Sequence, residues 1–196
     1  VGVVVNVNNQ RGNALLGPQT RALHGEPWQH DKVGSLALRV SFNSFYQLHR
    51  HAEAVLFRPA LQMLGDVRGA RVVDGYGGVG TFALRLLRDG ADHVKLIESA
   101  PSSCDDARHN LALNNFDNAD VLEQPFGSSP LPDCDVLVVD PPRAGLMAAG
   151  AAAVRSCAAP RVLLVSCSLR SLARDLGHLA DTHQISRFRL CDLFPH

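Results

Sequence analysis

The amino-acid sequence predicts an α/β fold in which a mostly parallel, Rossmann-like sheet carries helices on both faces. From residue 70 onward, short apolar strands alternate with helical segments, which is the pattern of βαβ units. The first of these strands runs into a glycine-rich turn that opens a helix, as in nucleotide-binding sheets. Before residue 47, apolar and polar residues alternate between turn signals, which indicates a short strand-rich segment ahead of the sheet.

The leading segment is expected to contain three short strands. They are 2–8, 14–17 and 35–42, with the sequences GVVVNVN, ALLG and SLALRVSF. From His49 to Leu64 the spacing of apolar residues becomes helical, and Pro59 should kink or divide that helix. We therefore predict two domains, a partial strand-rich segment over 1–46 and an α/β domain over 47–196.

The strands predicted for the main sheet are 70–74, 93–98, 119–123, 134–140, 161–167 and 185–194. The turn and helix after the first strand span 77–88, and further helices are predicted over about 102–114, 146–157 and 169–180. Ser102 or Ser103 is expected to cap the helix that begins beside it.

The composition is that of a packed protein of a reducing compartment. Of the residues, 46% are hydrophobic and 19% are charged, and no apolar run is long enough for a membrane span or shaped like a secretory signal. The five cysteines are scattered and form no CxxC pair, so we expect no disulfide framework and no metal site in this chain. The net charge of zero argues weakly against nucleic acid as a partner, although both ends are mildly basic around an acidic centre.

The glycine-rich turn lies in VVDGYGGVGTF, residues 72–82. Gly78 and Gly80 permit a tight turn, and Glu98 ends the next strand, where its carboxylate could accept both hydroxyl groups of a ribose. GVGTFA also fits the dinucleotide pattern G-x-G-x-x-A. Asp74 favours the cationic methionine end of S-adenosylmethionine, because a carboxylate there would repel a pyrophosphate. Dinucleotide binding and a plain tight turn remain the alternatives.

Two further motifs end strands of the sheet. VVDPPRAG, residues 138–145, places Asp140 at the carboxyl edge, where open α/β sheets bind ligands, and offers Arg143 for a phosphate or a base. A rigid loop with a surface arginine is the alternative. LLVSCSLRSLARDL, residues 163–176, places Cys167 before a helix whose positive end favours a thiolate, with Arg170 and Arg174 nearby. Core packing is the alternative for Cys167.

Together these elements resemble the RNA uracil-5-methyltransferase family, which modifies ribosomal and transfer RNA. The matching segments are SFNSFYQ (41–47), VVDGYGGVGTF, LIE (96–98), ARHNLALNN (107–115), VVDPPRAG, VSCSLRSLARDL and DLFPH (192–196). The resemblance implies a class I S-adenosylmethionine-dependent methyltransferase fold in a cytoplasmic, monomeric enzyme. It implies methylation of carbon 5 of a uridine in RNA. The first 46 residues look like the strand-rich segment that precedes the catalytic domain in bacterial ribosomal RNA members, so 23S ribosomal RNA is favoured over transfer RNA. An NAD-type oxidoreductase and a non-catalytic RNA-binding remnant are the alternatives.

The resemblance also assigns residues. Cys167 falls on the nucleophile, and Gln47, Tyr76, Glu98 and Asp140 fall on cofactor-binding positions. The predicted cofactor site consists of these four residues together with Asp74, Gly78, Gly80 and Thr81 of the glycine-rich turn. Phe45, Arg143 and Arg174 are the residues expected to contact the RNA substrate. Thr81 stands where many members have Asn, Pro125 replaces a residue that is usually polar, and Ser168-Leu169 replaces Asn-Pro after the nucleophile. We expect the last change to alter the geometry of the nucleophile's loop.

The resemblance further implies that this sequence is a fragment or a natural truncation. The family's catalytic glutamate and the closing strand of the sheet would lie beyond His196, and the iron–sulfur cysteines and small RNA-binding barrel of many members would precede residue 1. A chain without that glutamate is expected to methylate RNA but to stall as a covalent adduct.

Overall fold

The computed structural model describes residues 2–9, 16–17, 19–47, 49 and 51–193. The leading segment forms two antiparallel strand pairs. They are β1 (Val3–Val7) with β2 (Gln19–His24), and β3 (Trp28–Val33) with β4 (Leu36–Ser41).

The predictions for the leading segment are confirmed at β1 and β4 and wrong at 14–17. Leu16 and Gly17 belong to no strand, while residues 14 and 15 lie outside the described residues. The strands β2 and β3 were not predicted, because nearly all their side chains are exposed and leave no alternation of buried and polar positions.

The main sheet contains five parallel strands in the order β7-β6-β5-β8-β9. These strands are β5 (Arg71–Gly75), β6 (His93–Glu98), β7 (Ala119–Glu123), β8 (Val136–Val139) and β9 (Arg161–Leu164). The helices are α1 (Arg58–Leu64), α2 (Thr81–Arg88), α3 (Pro101–Leu113), α4 (Met147–Ser156) and α5 (Leu169–Leu179). Strand order reverses between β5 and β8, and such a reversal opens a crevice at the carboxyl edge of an α/β sheet. Within the described residues, no helix combines the length and apolar character that a bilayer crossing requires.

Helices cover both faces of the sheet, as predicted. Successive residues of a strand point to opposite faces, so Val72 and Val73 enter different hydrophobic clusters. One cluster packs α1, α2, α3 and the buried side chains of β4 against the sheet, and the other packs α4 and α5.

The predicted sixth strand, 185–194, is wrong for the nine residues that the structure describes; residue 194 lies outside them. Ile185, Phe188 and Leu190 are 64–75% exposed, and the segment pairs with none of the described strands. Arg187 instead donates hydrogen bonds to the carbonyls of Gln62 and Met63 at the end of α1. Apolar spacing alone does not make a strand, because a strand also needs a neighbour for its N–H and C=O groups.

Two helix starts depend on residues with special backbone chemistry. Pro59 divides the predicted helix, since a π-helical turn over Glu53–Phe57 precedes α1 and proline removes one donor from the hydrogen-bond series. The predicted serine cap of α3 is wrong, because the helix begins after Ala100, with Pro101 in its first turn. The Glu98 carboxylate accepts the hydrogen bonds of Ser99 N and Ala100 N in place of a serine hydroxyl.

A row of polar side chains on α3 binds the backbone of β4. Asn114 bonds both the N–H and the C=O of Ala37, at 3.0 and 2.7 Å, and Asn110 bonds both groups of Arg39, at 2.6 and 3.0 Å. Asp106 accepts from Ser41 N at 2.7 Å. Four helical residues rise about 6 Å and two strand residues about 6.7 Å, so the two spacings match. The side chains of α3 therefore satisfy backbone groups of β4 that a neighbouring strand would otherwise bind.

We expect Asn110→Ala to lower the free energy of unfolding by about 3 kcal/mol, because it leaves the half-buried backbone groups of Arg39 and the buried carbonyl of Val79 without their partner. Urea denaturation measures the change. His109→Ala, an exposed change on the same helix, should stay within about 0.5 kcal/mol of the wild type. If the two variants had equal free energies of unfolding, the hydrogen bonds between α3 and β4 would not contribute to stability.

Candidate active site

The candidate site lies at the carboxyl edge of the sheet, where β5 turns into α2. The backbone leaves Gly75 and enters Tyr76 with φ of 60°, a left-handed conformation that is unfavourable for a residue with a side chain. The Tyr76 hydroxyl donates to the Leu146 carbonyl at 3.3 Å, and its ring centre lies 4.9 Å from that of Phe126. Strain that neighbouring contacts hold in place is typical of ligand-binding turns.

The glycines of the turn have different tasks. A Cβ on Gly77 would lie 2.3 Å from Leu96 Cγ, so only glycine lets the turn pack on β6. Gly78 has φ of 54°, and its side-chain position faces open space except for the Phe45 carbonyl at 3.7 Å. The turn is therefore closed toward the sheet and open toward the loop that carries Phe45 and Gln47.

Glu98 ends β6, as predicted, and its carboxylate is fixed in place. One oxygen accepts from Ser99 N and Ala100 N, both at 2.7 Å, and the other accepts from Gly78 N at 3.1 Å. The side chain thus ties the glycine turn to the start of α3. A half-buried carboxylate held this way still has acceptor capacity for further donors.

Three carboxylates surround the turn. Asp74 is 1% exposed and accepts from Ala83 N at 2.9 Å. Burial, together with the charges of Asp140 and Glu98, raises the pKa of Asp74 to about 8, and burial raises the pKa of Asp140 to about 6. At neutral pH Asp74 is therefore largely protonated, whereas Asp140 is largely ionised and adds its charge to that of Glu98. The negative potential of those two groups favours a cationic ligand and disfavours a pyrophosphate. Because Asp74 lies beneath the turn, its direct contact with a cofactor stays a prediction.

The raised pKa of Asp74 gives a testable pH dependence. Between about pH 4 and pH 8 the folded protein keeps a proton that the unfolded chain has released, so this group's stabilising contribution falls as pH rises. Asp74→Asn should therefore gain melting temperature relative to the wild type as the pH increases from 5 to 9. Asp117→Asn, at an exposed position, provides the control in the same thermal denaturation series. If the melting temperatures of Asp74→Asn and the wild type changed in parallel with pH, the raised pKa of Asp74 would be contradicted.

A cleft of about 230 Å³ opens beside the turn. Its lining is mainly apolar and includes Tyr76, Ile97, Phe126 and Leu146, with Glu98 as its charged member. Pro125 also lines it, so the residue that departs from the family pattern offers an apolar contact. The size and the single carboxylate suit a nucleoside, since small-molecule sites combine an apolar lining with few polar groups.

Cys167 is exposed, which contradicts the core-packing alternative. It lies three residues beyond β9, and Ser168 caps α5 by accepting from Ser171 N at 3.4 Å. Val165 N donates to Val139 O at 2.9 Å, so the chain leaving β9 stays beside the chain leaving β8, which carries Asp140. The thiol and the Asp140 carboxylate therefore emerge from neighbouring strands at one edge.

The other predicted site residues have varied surroundings. Gln47 is half-buried and accepts from His49 N at 3.3 Å, and Thr81 is the half-buried first residue of α2. Phe45 is 79% exposed and Arg143 is also exposed, so both are accessible to a large substrate. Arg174 donates to the Ala144 carbonyl at 2.6 Å and to Asp175, so its predicted RNA contact stays a prediction.

Asp175 is the residue that the sequence analysis missed. It is 1% exposed and accepts from Leu146 N at 2.9 Å, in the loop that lines the cleft. A signal was available, because Asp175 shares the apolar face of α5 with Leu172, Leu176 and Leu179 at helical spacing. A carboxylate on an apolar face indicates a buried partner.

Comparison with known proteins gives three concordant matches. The profile of the tRNA (uracil-5-)-methyltransferase family matches residues 132–196. An uncharacterized RNA methyltransferase of Halalkalibacterium halodurans is 34% identical over 98% of this chain and 43% of its own length. The Pyrococcus abyssi tRNA (uracil-54, C5)-methyltransferase, solved with S-adenosyl-L-homocysteine, superposes with a TM-score of 0.82 at 26% identity, over 99% of this chain and 47% of that one.

The chain belongs to the RNA uracil-5-methyltransferase family. Its sheet and helices have the class I S-adenosylmethionine-dependent methyltransferase fold, as the resemblance implied. A relative in Gloeobacter violaceus, also an uncharacterized RNA methyltransferase, is 35% identical over 91% of this chain and 39% of its own length. The chain thus spans less than half the length of the relatives it matches.

Proposed function

We propose that this family member transfers a methyl group from S-adenosylmethionine to carbon 5 of a uridine in RNA. One observation carries the proposal: the exposed thiol of Cys167 and the carboxylate-ringed glycine turn share one edge of the sheet. A nucleophilic thiol can activate a pyrimidine ring, and the negative turn favours a cationic nucleoside. Neither the exposed thiol nor the negative turn would by itself distinguish uridine methylation from dinucleotide binding.

The residues at the edge fit S-adenosylmethionine. The Glu98 carboxylate would accept the ribose hydroxyl groups, and the apolar cleft beside Phe126 would take the adenine. The Asp140 carboxylate would favour the positive charges of the methionine part, and a bound cation would in turn lower the pKa of the buried Asp74. Gln47, Tyr76 and Thr81 are proposed to complete the cofactor site around Gly78 and Gly80. When bound, the cofactor supplies an electrophilic methyl group on a positively charged sulfur.

Cys167 supplies the nucleophile for the substrate. Its thiolate adds to carbon 6 of uracil, and the electron pair of the carbon 5–carbon 6 double bond shifts onto the carbon 4 oxygen as an enolate. Carbon 5 becomes nucleophilic and can accept the methyl group. Removal of the carbon 5 proton by a base then restores the double bond and expels the Cys167 thiolate.

The RNA must present its base to an edge of the sheet. Because a stacked base cannot reach such a pocket, unpaired loops are the expected targets. Phe45, which is 79% exposed, offers a surface for stacking, and the exposed Arg143 offers a partner for phosphate. We propose 23S ribosomal RNA as the substrate over transfer RNA, supported by the resemblance of the first 46 residues to ribosomal RNA members.

Two measurements test the proposal. Mass spectrometry after digestion of the protein and the RNA should show methylated uridine, either as free 5-methyluridine or still joined to Cys167, with more product from ribosomal than from transfer RNA transcripts. Calorimetry should show binding of S-adenosylhomocysteine and none of NAD. Binding of NAD alone would favour an oxidoreductase. RNA retention without methylation would favour a binding remnant, and either result would overturn the proposal.

A further inference from the structure

The segment Ala144–Leu146, which leads from Asp140 into α4, is bound by side chains at three of its backbone groups. Arg174 Nη2 donates to the Ala144 carbonyl at 2.6 Å, and Asp175 Oδ2 accepts from Leu146 N at 2.9 Å. The Tyr76 hydroxyl donates to the Leu146 carbonyl at 3.3 Å. Two of these side chains come from α5 and the third comes from the turn after β5.

The Arg174–Asp175 pair is directed at this segment. Asp175 is 1% exposed, and a buried carboxylate is stable only when its oxygens are bonded. Its Oδ1 accepts from Arg174 Nε at 3.1 Å and Nη2 at 2.8 Å, which leaves Oδ2 for Leu146 N. Each carboxylate oxygen of Asp175 therefore has a donor, and the guanidinium group of Arg174 also donates to the Ala144 carbonyl of the loop.

The fit at Gly145 shows how closely the two parts approach. Gly145 has φ of 81°, and a Cβ there would lie 2.3 Å from Asp175 Oδ2 and 2.5 Å from Arg174 Nη2. Any larger residue would push the pair away from the loop. The same glycine lines the 230 Å³ cleft, so the loop is held directly at the cleft wall.

The pair connects two parts of the candidate active site. The helix α5 begins two residues after Cys167, and Ser168 caps it. The bound loop follows Asp140 and contributes Pro142, Gly145 and Leu146 to the cleft. Displacement of the loop from α5 would therefore change the position of the thiol relative to the cleft.

We propose that Asp175, together with Arg174, is a positioning residue that fixes the cleft wall at Ala144–Leu146 against the helix of the nucleophile. The proposal rests on the proposed function, because it assigns the pair to alignment of Cys167 with the bound cofactor. Asp175 also acts on Tyr76 electrostatically. Burial is the main cause of the raised pKa of the Tyr76 hydroxyl group, and the negative charge of Asp175 raises that pKa further. The three side chains thus form one connected unit around the loop.

Asp175→Asn keeps the size of the side chain but replaces one acceptor oxygen with a donor. We expect the Kd for S-adenosylhomocysteine to rise about tenfold, and the single-turnover rate of RNA methylation to fall about 100-fold. Hydrogen exchange at the Leu146 amide should accelerate. Arg174→Gln should resemble Asp175→Asn, because it removes the guanidinium contacts to the Asp175 carboxylate and to the Ala144 carbonyl. The arginine side chain is 43% exposed, so Arg174→Gln tests the pair even where Asp175→Asn fails to fold.

Asn114→Ala is the matched control, because it loses hydrogen bonds to Ala37 on the opposite face of the sheet. Asn114→Ala should lower the melting temperature about as much as Asp175→Asn does, but it should leave the Kd for S-adenosylhomocysteine and the methylation rate unchanged. Unchanged exchange at Leu146 in Asp175→Asn and Arg174→Gln would overturn the contact. Faster exchange with unchanged binding and methylation would overturn the positioning role. Absence of methylation by the wild type would instead count against the proposed function, and the exchange measurement would still report on the contact.

Discussion

Replacing Cys167 with alanine should abolish RNA methylation, with a loss of at least about 10⁴-fold in rate. The reason is that carbon 5 of uracil becomes a nucleophile only after a thiolate has added at carbon 6. Cys167→Ser should be nearly as inactive, because a hydroxyl group is a much weaker nucleophile near neutral pH. The measurement is 5-methyluridine formation by nucleoside mass spectrometry.

A covalent trap sharpens this test. RNA that carries 5-fluorouridine has no proton to release at carbon 5 after methylation, so the cysteine cannot leave and the complex should persist on a denaturing gel. The Cys167 variants should form no such complex while still binding S-adenosylhomocysteine. Cys191→Ala, at a half-buried cysteine outside the described strands and helices, should trap RNA like the wild type. A trapped complex in Cys167→Ala would assign the nucleophile elsewhere.

The sheet was predictable where burial on both faces leaves a strong apolar signal. The strands β6 and β7 begin and end where the sequence predicts. The strand β8 begins two residues later and ends one residue earlier than predicted, and β9 ends three residues earlier, where the chain continues into the ligand edge. Residues 185–193 carry an equally apolar pattern and form no strand. The difference lies in pairing, which depends on residues far along the chain and is invisible to a local pattern.

The candidate site followed from strand ends, since parallel strands bring their last residues to one edge. Glu98 and Asp140 could therefore be grouped with Cys167 before any coordinates were known. Asp175 and the α3 residues that bind β4 could not be placed this way, because their partners lie 29 to 77 positions away. Sequence spacing locates the groups that meet a ligand, whereas the side chains that hold those groups in position depend on the tertiary arrangement.

Glu98→Gln should weaken binding of S-adenosylhomocysteine about 100-fold, because the group at this position must act only as an acceptor. Three backbone donors already converge on the carboxylate, at Ser99, Ala100 and Gly78, and the proposed ribose adds two hydroxyl donors. The amide of glutamine turns one acceptor atom into a donor that would face another donor. Calorimetry with S-adenosylhomocysteine measures the loss directly.

Glu123→Gln provides the matched control for Glu98→Gln. Glu123 pairs with Glu98 in the β6–β7 register and so ends the neighbouring strand at the same level. Its side chain is 42% exposed, and its contact with Arg108 is long, at 3.5 Å. Affinity for S-adenosylhomocysteine should be unchanged in this variant. If both substitutions weakened binding equally, the loss would reflect the general negative potential of the edge, and the specific contact with a ribose would have to be abandoned.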